Sequence, residues 1–82
     1  MNPIHQNRRA LNATEIVTQL SQLNGTHPDG WKLIDGSIER TFRFANFHET
    51  MAFVNAVAWV AHREDHHPDV AFGYNRCTLR FN

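Results

Sequence analysis

The sequence predicts an α+β fold in which helices cover one face of an antiparallel four-stranded sheet. Two stretches carry apolar residues at helical spacing, and each is followed by two short segments in which apolar and polar residues alternate. Asp35-Gly36 separates the first two alternating segments, and this dipeptide favours the tight turn of a β-hairpin. The order helix, strand, strand, helix, strand, strand therefore indicates two packed layers.

The first helix is predicted to follow a flexible N-terminal arm. Residues 1–12 are mostly polar, so we assign the arm to 1–12 and a single domain to 13–82. Thr14 is a candidate N-cap, and Asn24-Gly25 should end the helix. The apolar positions between them are Ile16, Val17, Leu20 and Leu23. A turn cluster over 26–30 then leads into a strand that starts at Trp31.

The second helix has a cap signal at its start and a wide apolar surface. Asn46 is a plausible N-cap, with Glu49 three residues later, and the helix should end near Asp65. Its helical stripe consists of Phe47, Met51, Val54, Val57, Ala58 and Ala61. Further apolar residues widen the arc: Phe53, Ala56, Trp59 and Val60. The arc is equally consistent with a broad core face and with a second face that contacts another subunit.

The last two strands are predicted from alternation after the second helix. The first of them carries Val70, Phe72 and Tyr74, and the second carries Cys77, Leu79 and Phe81. Cys77 is the single cysteine, so it forms no internal disulfide, and its place in the alternation predicts that it is buried.

Composition argues against several classes of function. Eight Lys and Arg balance eight Asp and Glu, which leaves no basic excess to attract nucleic acid or an anionic membrane. No segment resembles a membrane span or a secretory signal, so we expect a cytoplasmic protein. At 82 residues the core is small, which favours stabilisation by self-association.

The strongest chemical signal is Asp65-His66-His67-Pro68-Asp69 at the end of the second helix. An unperturbed imidazole exchanges its proton near pH 6.5, which suits acid/base chemistry. Pro68 disfavours helical backbone at His67, so the helix should end just before it and the two imidazoles should face one cleft. Asp65 is a candidate orienting group, and Trp31 is a candidate wall for a substrate.

A metal centre is the competing interpretation of the same stretch. His62 and His66 are four residues apart and share a helix face, with His67, Asp65 and Glu64 nearby. The glutamate stands one position later than the H-E-x-x-H pattern of zinc proteases requires. Spacing alone leaves proton transfer and metal binding both open.

Several motifs together resemble one family. They are Gly30-Trp31, the run Ile-Glu-Arg-Thr-Phe-Arg-Phe over 38–44, Phe47 with the alanine-rich helix after it, the His66-His67-Pro68 element, and Tyr74-Asn75-Arg76. Over residues 11–82 the chain resembles the pterin-4a-carbinolamine dehydratase family. The His-His-Pro element with the downstream Tyr-Asn is the most specific part of the match.

The resemblance implies dehydration of 4a-hydroxytetrahydrobiopterin to quinonoid dihydrobiopterin, the recycling step after aromatic amino-acid hydroxylation. It implies no metal or organic cofactor, a homodimer or homotetramer, and a functional link to an aromatic amino-acid hydroxylase. By the family pattern, His66 and His67 are catalytic and bind substrate, Pro68 belongs to the binding loop, and Trp31 is a candidate pocket wall.

Some members of the family also act as dimerisation cofactors of a homeodomain transcription activator. The alternative function is therefore a non-catalytic dimerisation module of the same fold. The wide apolar arc through Phe53, Ala56 and Val60 is the feature behind it.

Two features depart from the family pattern. The family usually has a glutamate four residues before the first histidine of the pair, where this chain has His62. The family also continues, beyond the position of Asn82, through a Thr-His pair, a glycine-rich turn and a final helix. We therefore expect a sheet without that helix on one flank, and activity impaired by the lack of a third histidine.

Overall fold

Two helices and four strands follow one another in the predicted order. The computed structural model describes residues 3–22 and 30–82, with side chains from residue 12 onward. The elements are α1 (Pro3–Ser21), β1 (Lys32–Ile34), β2 (Ser37–Arg43), α2 (Phe47–Glu64), β3 (Asp69–Phe72) and β4 (Arg76–Phe81). Neighbouring strands are antiparallel, in the order β1-β2-β4-β3. The predicted α+β class is confirmed.

The predicted start of α1 at Thr14 is wrong. The helix begins at Pro3 and runs through most of the segment predicted to be an arm, and Thr14 lies inside it. Proline is favoured at the first helical position, and residues 4–13 contain no glycine or further proline to interrupt the helix. The helix ends at Ser21, while Asn24-Gly25 and most of the turn cluster lie outside the described residues. The domain boundary at residue 13 stays a prediction.

The hairpin predicted at Asp35-Gly36 is confirmed. Both residues have positive φ, 50° for Asp35 and 80° for Gly36. A type I′ turn requires this left-handed pair, and it matches the twist of the strands on either side. The turn sets Ile34 opposite Ser37 and Leu33 opposite Ile38.

The cap predicted for α2 is also confirmed. Asn46 is extended, and its Oδ1 accepts a 2.9 Å hydrogen bond from the Glu49 N–H. Glu49 Oε2 accepts in turn from the Ala45 N–H at 3.2 Å, which satisfies a second backbone donor at this terminus. The helix ends at Glu64 and is capped by Asp65, so its predicted end near Asp65 is confirmed. Among the described residues, no helix has the length and apolar character needed to cross a bilayer.

The core lies between the helices and one face of the sheet. Its buried members are Ala13, Val17, Phe42, Phe44, Phe53, Val57, Val60, Cys77, Leu79 and Phe81. Alternation along β4 places its three apolar residues in this layer and its three polar residues on the other face. Cys77 is fully buried, and burial raises the pKa of its thiol to about 11, so the side chain is an inert core residue at neutral pH.

The wide arc of α2 is mainly a core face. Phe53 and Val60 are buried, while Trp59 remains 75% exposed. The buried residues of the helix are Thr50, Phe53, Val57, Val60 and Ala61. Compared with the predicted stripe, the face that meets the core is therefore shifted towards Phe53 and Val60. The predicted interface through Phe53, Ala56 and Val60 is therefore wrong for Phe53 and Val60.

Replacing Thr50 with valine should destabilise the fold by about 1–3 kcal/mol. Thr50 is fully buried, and its Oγ1 lies 2.9 Å from the Tyr74 carbonyl and 3.0 Å from the Asn46 carbonyl. Valine keeps the shape but leaves the Tyr74 carbonyl without this donor. Urea unfolding would measure the loss. Thr78→Val is the matched control: Thr78 is half-buried and shares a 2.8 Å hydrogen bond with Thr41 on the sheet face turned away from the helices, so a smaller loss is expected there. Equal losses in both variants would contradict the prediction.

Candidate active site

The end of α2 fixes where the two histidines leave the helix. Asp65 adopts the left-handed conformation, with φ 51° and ψ 44°. The Asp65 N–H donates to the His62 carbonyl at 3.3 Å, and the His66 N–H donates to the Ala61 carbonyl at 3.1 Å. These two bonds form a Schellman motif, which usually has glycine at the left-handed position. The backbone of His66 is therefore held against the last turn of the helix.

The His66 side chain packs into the edge of the core. Its imidazole lies parallel to the Phe81 ring, with an interplanar angle of 2° and 5.2 Å between the centroids. Its Nε2 atom is buried and makes no hydrogen bond with any residue in the described ranges. Most buried polar atoms in folded proteins have a hydrogen-bond partner, so this nitrogen is a candidate for a functional role.

His67 and Pro68 continue the chain towards β3. His67 is exposed and Pro68 is half-buried, and β3 begins at the next residue, Asp69. The helix ends before His67, as the restriction imposed by Pro68 predicts. Two adjacent imidazoles therefore occupy different environments, one packed on an aromatic ring and one in water. Their placement in a single cleft stays a prediction.

Trp31 lies against the same aromatic ring as His66. Its centroid is 5.9 Å from that of Phe81, at 60°, and 5.9 Å from that of Phe42, at 74°. Its Nε1–H donates to Thr18 Oγ1 at 3.1 Å, which ties the indole to α1. The structure thus brings Trp31 and His66 to one residue, Phe81. The sequence identifies Phe81 only as a strand residue, because alternation carries no sign of a contact with His66.

The residues of the metal hypothesis do not converge. His62 is exposed and lines a depression of about 520 Å³ on the outer side of α2, together with Trp59, Val60 and Arg63. In the part of the chain that the structure describes, no three His, Cys, Asp or Glu side chains are placed to hold a metal ion. The geometry of these residues therefore gives the metal hypothesis no support.

The chain is similar to one protein family over most of its length. Residues 9–82 match the sequence model described as pterin 4 alpha carbinolamine dehydratase. Two curated bacterial proteins carry that name provisionally. The one from Paracidovorax citrulli is 53% identical over 78 residues, and the one from Nitrosomonas eutropha is 52% identical over 69 residues. These matches cover 92% and 84% of this chain but only 64% and 55% of the relatives, so the chain spans less than two thirds of their length.

A solved structure shares the fold. It is the crystal structure titled transcriptional coactivator/pterin dehydratase from Brucella melitensis. Its sequence is 30% identical to this chain, and the TM-score is 0.60. The superposition covers 78% of this chain and 66% of the Brucella chain.

The left-handed backbone at Asp65 predicts that glycine is more stable than alanine at this position, the opposite of its effect within a helix. Asp65→Gly should be more stable than Asp65→Ala by about 1 kcal/mol, because both variants lose the carboxylate but only alanine places a Cβ in the left-handed region. Ala58→Gly, in the exposed middle of α2, should instead lose about 0.5–1 kcal/mol. Thermal unfolding of the three variants measures these differences. If Asp65→Ala were as stable as Asp65→Gly, the left-handed cap would be refuted.

Proposed function

The chain belongs to the pterin 4 alpha carbinolamine dehydratase family, and on that premise we propose that it dehydrates 4a-hydroxytetrahydrobiopterin to quinonoid dihydrobiopterin. His66 and His67 would supply the acid/base chemistry. The family match extends over residues 9–82, a range that includes both helices' described core residues, the whole sheet and the His-His-Pro element. The activity itself is our proposal, since the relatives are longer than this chain.

The observation that carries the proposal is the setting of His66. Its imidazole is held flat on Phe81, and its buried Nε2 has no hydrogen-bond partner in the described part of the chain. A polar atom buried in this way costs free energy unless something binds to it. A pterin carries ring N–H groups and a 4a-hydroxyl, both of which form hydrogen bonds with an imidazole nitrogen.

The reaction requires one acid and one base. The bond between C4a and the hydroxyl oxygen breaks, and the oxygen takes a proton from the acid and leaves as water. A ring nitrogen gives its proton to the base, and a carbon–nitrogen double bond forms. Histidine serves in either role near neutral pH, and we assign the roles to the pair rather than to its separate members.

The two histidines differ in exposure, which suits a pair that both binds substrate and exchanges protons with solvent. His66 is partly enclosed, where a hydrogen bond to substrate is little weakened by water. His67 is exposed, so it exchanges protons with solvent and restores the starting protonation state between turnovers. In the proposal Pro68 shapes the substrate-binding loop, and Trp31, half-exposed beside Phe81, forms a wall for the bicyclic ring.

We further propose that the protein acts as a cytoplasmic homodimer or homotetramer and serves an aromatic amino-acid hydroxylase by recycling its pterin. Exposed apolar side chains on α2 and in the segment 70–74 support self-association: Phe47, Trp59, Val70, Phe72 and Tyr74. The alternative function, a non-catalytic dimerisation module, draws support from the coactivator title of the Brucella structure. Histidine variants separate the two, because a dimerisation module would keep its function without an imidazole.

Replacing either histidine should slow the dehydratase reaction. His66→Ala and His67→Ala are each expected to lower kcat/KM by about 100-fold, the lower end of what a positioned acid or base contributes. Loss of 4a-hydroxypterin, followed by absorbance and corrected for the spontaneous reaction, gives the rates. His48→Ala is the control, since His48 is exposed at the opposite end of α2. Equal rates for wild type and both site variants would remove the histidines from the mechanism.

Self-association should depend on Trp59. This residue is 75% exposed beside a depression, and a large aromatic side chain next to a concave surface is typical of an interface hot spot. Light scattering should give wild type a mass that is a multiple of 9.5 kDa and give Trp59→Ser a smaller mass. Leu33→Ser is the matched control, because Leu33 is 78% exposed on the edge strand β1. A monomeric wild type would contradict the proposed assembly.

A further inference from the structure

His66 has a fixed backbone but an imidazole that still needs an orienting contact. The Schellman bonds hold the Cα position at the end of α2, yet the side chain retains two rotatable bonds. No hydrogen bond from the described residues fixes the buried Nε2. The ring contact that remains is the parallel stack on Phe81.

Phe81 is itself immobilised by its surroundings. It is 2% exposed and lies at the end of the central strand β4, opposite Ile38 of β2. Trp31 packs on it and is anchored to Thr18 of α1 by a hydrogen bond. The flat face that Phe81 presents to His66 therefore has a set direction relative to the sheet and to α1.

A fixed imidazole plane matters for proton transfer. Both ring nitrogens lie in the plane of the imidazole. A plane parallel to Phe81, together with the backbone held at the end of α2, therefore restricts the directions along which His66 gives or accepts a proton. Proton transfer needs the heavy atoms within about 2.6–3.2 Å and in good alignment. A tilt of the ring moves the nitrogens away from a substrate that other residues hold in place.

We propose that Phe81 is a positioning residue: its ring sets the plane of the His66 imidazole for proton transfer. The proposal rests on the dehydratase function proposed above for its effect on rate, but the orientation of His66 is a property of the free protein. An aliphatic residue of similar size fills the core but offers no flat face for stacking. Phe81 would thus matter through its shape rather than through its hydrophobicity.

Phe42 provides a matched control for this claim. It is fully buried in the same core and also packs against Trp31, as Phe81 does. Its ring neighbours include Phe53, and the ring that lies on His66 is that of Phe81. Phe42→Leu therefore reproduces the loss of an aromatic ring from the core and from Trp31 while leaving the stack on His66 in place.

The first measurement is nuclear magnetic resonance of the imidazole protons in the free protein. Protons above an aromatic face are shielded, so the His66 signals, assigned by their absence in His66→Ala, should lie upfield in wild type. Phe81→Leu should move them to ordinary positions, whereas Phe42→Leu should leave them upfield. If Phe81→Leu does not fold, Phe81→Met replaces it, since methionine has a similar volume but an unbranched, flexible side chain that adapts to the core. Signals that respond equally to the Phe81 and Phe42 variants, or to neither, would overturn the proposal.

The second measurement is the steady-state rate of pterin dehydration. Phe81→Leu should lower kcat roughly tenfold with KM little changed, because misplacement of a catalytic group acts on the chemical step. Phe42→Leu should lower the melting temperature to a similar extent but keep kcat near wild type. Equal losses of kcat in the two variants would overturn the role of Phe81 in catalysis. If the wild-type chain shows no dehydration, the proposed function fails, and the imidazole signals alone decide whether Phe81 orients His66.

Discussion

The alternation of side chains along β4 is the constraint on which the rest of the structure depends. β4 pairs with both β2 and β3, so its register sets the faces of three strands at once. Cys77, Leu79 and Phe81 lie in the core, while the residues between them face away from the helices. A slip by one residue would turn Phe81 out of the core and remove the surface on which His66 and Trp31 pack.

The sheet face turned away from the helices carries one row of alternating charges. In the register of the sheet, Lys32 stands opposite Glu39, Glu39 opposite Arg80, and Arg80 opposite Asp69. Signs therefore alternate across all four strands in this row, and opposite charges on directly paired residues stabilise a sheet. The same strands carry charged residues on this face and aromatic residues on the face that packs against the helices. His66 and Trp31 both contact Phe81 on that second face, so the candidate site lies on the helix side of the sheet.

Local signals in the sequence predicted the elements that depend on local chemistry. The Asn46 cap and the Asp35-Gly36 turn follow from side chains and backbone angles within a few residues, and both occur in the structure. The rotation of α2 could not be predicted, because a wide apolar arc does not reveal which part meets the sheet. The start of α1 is not predictable from polarity, because a polar segment at a terminus looks like an arm even where residues 4–13 contain no glycine or proline to interrupt a helix.

The candidate site consists of residues that are adjacent in sequence and of a residue that only the tertiary fold brings to them. His66 and His67 are neighbours in sequence, and Pro68 predicts where the helix releases them, so the sequence identifies this part. Phe81 comes fifteen positions after His66, and their contact depends on how far α2 extends over the sheet before Asp65 turns the chain. The reach of α2 over the sheet is set by the length of the helix, and no short sequence motif specifies it. The residue that orients a catalytic group is thus harder to predict than the group itself, because its role follows from tertiary geometry alone.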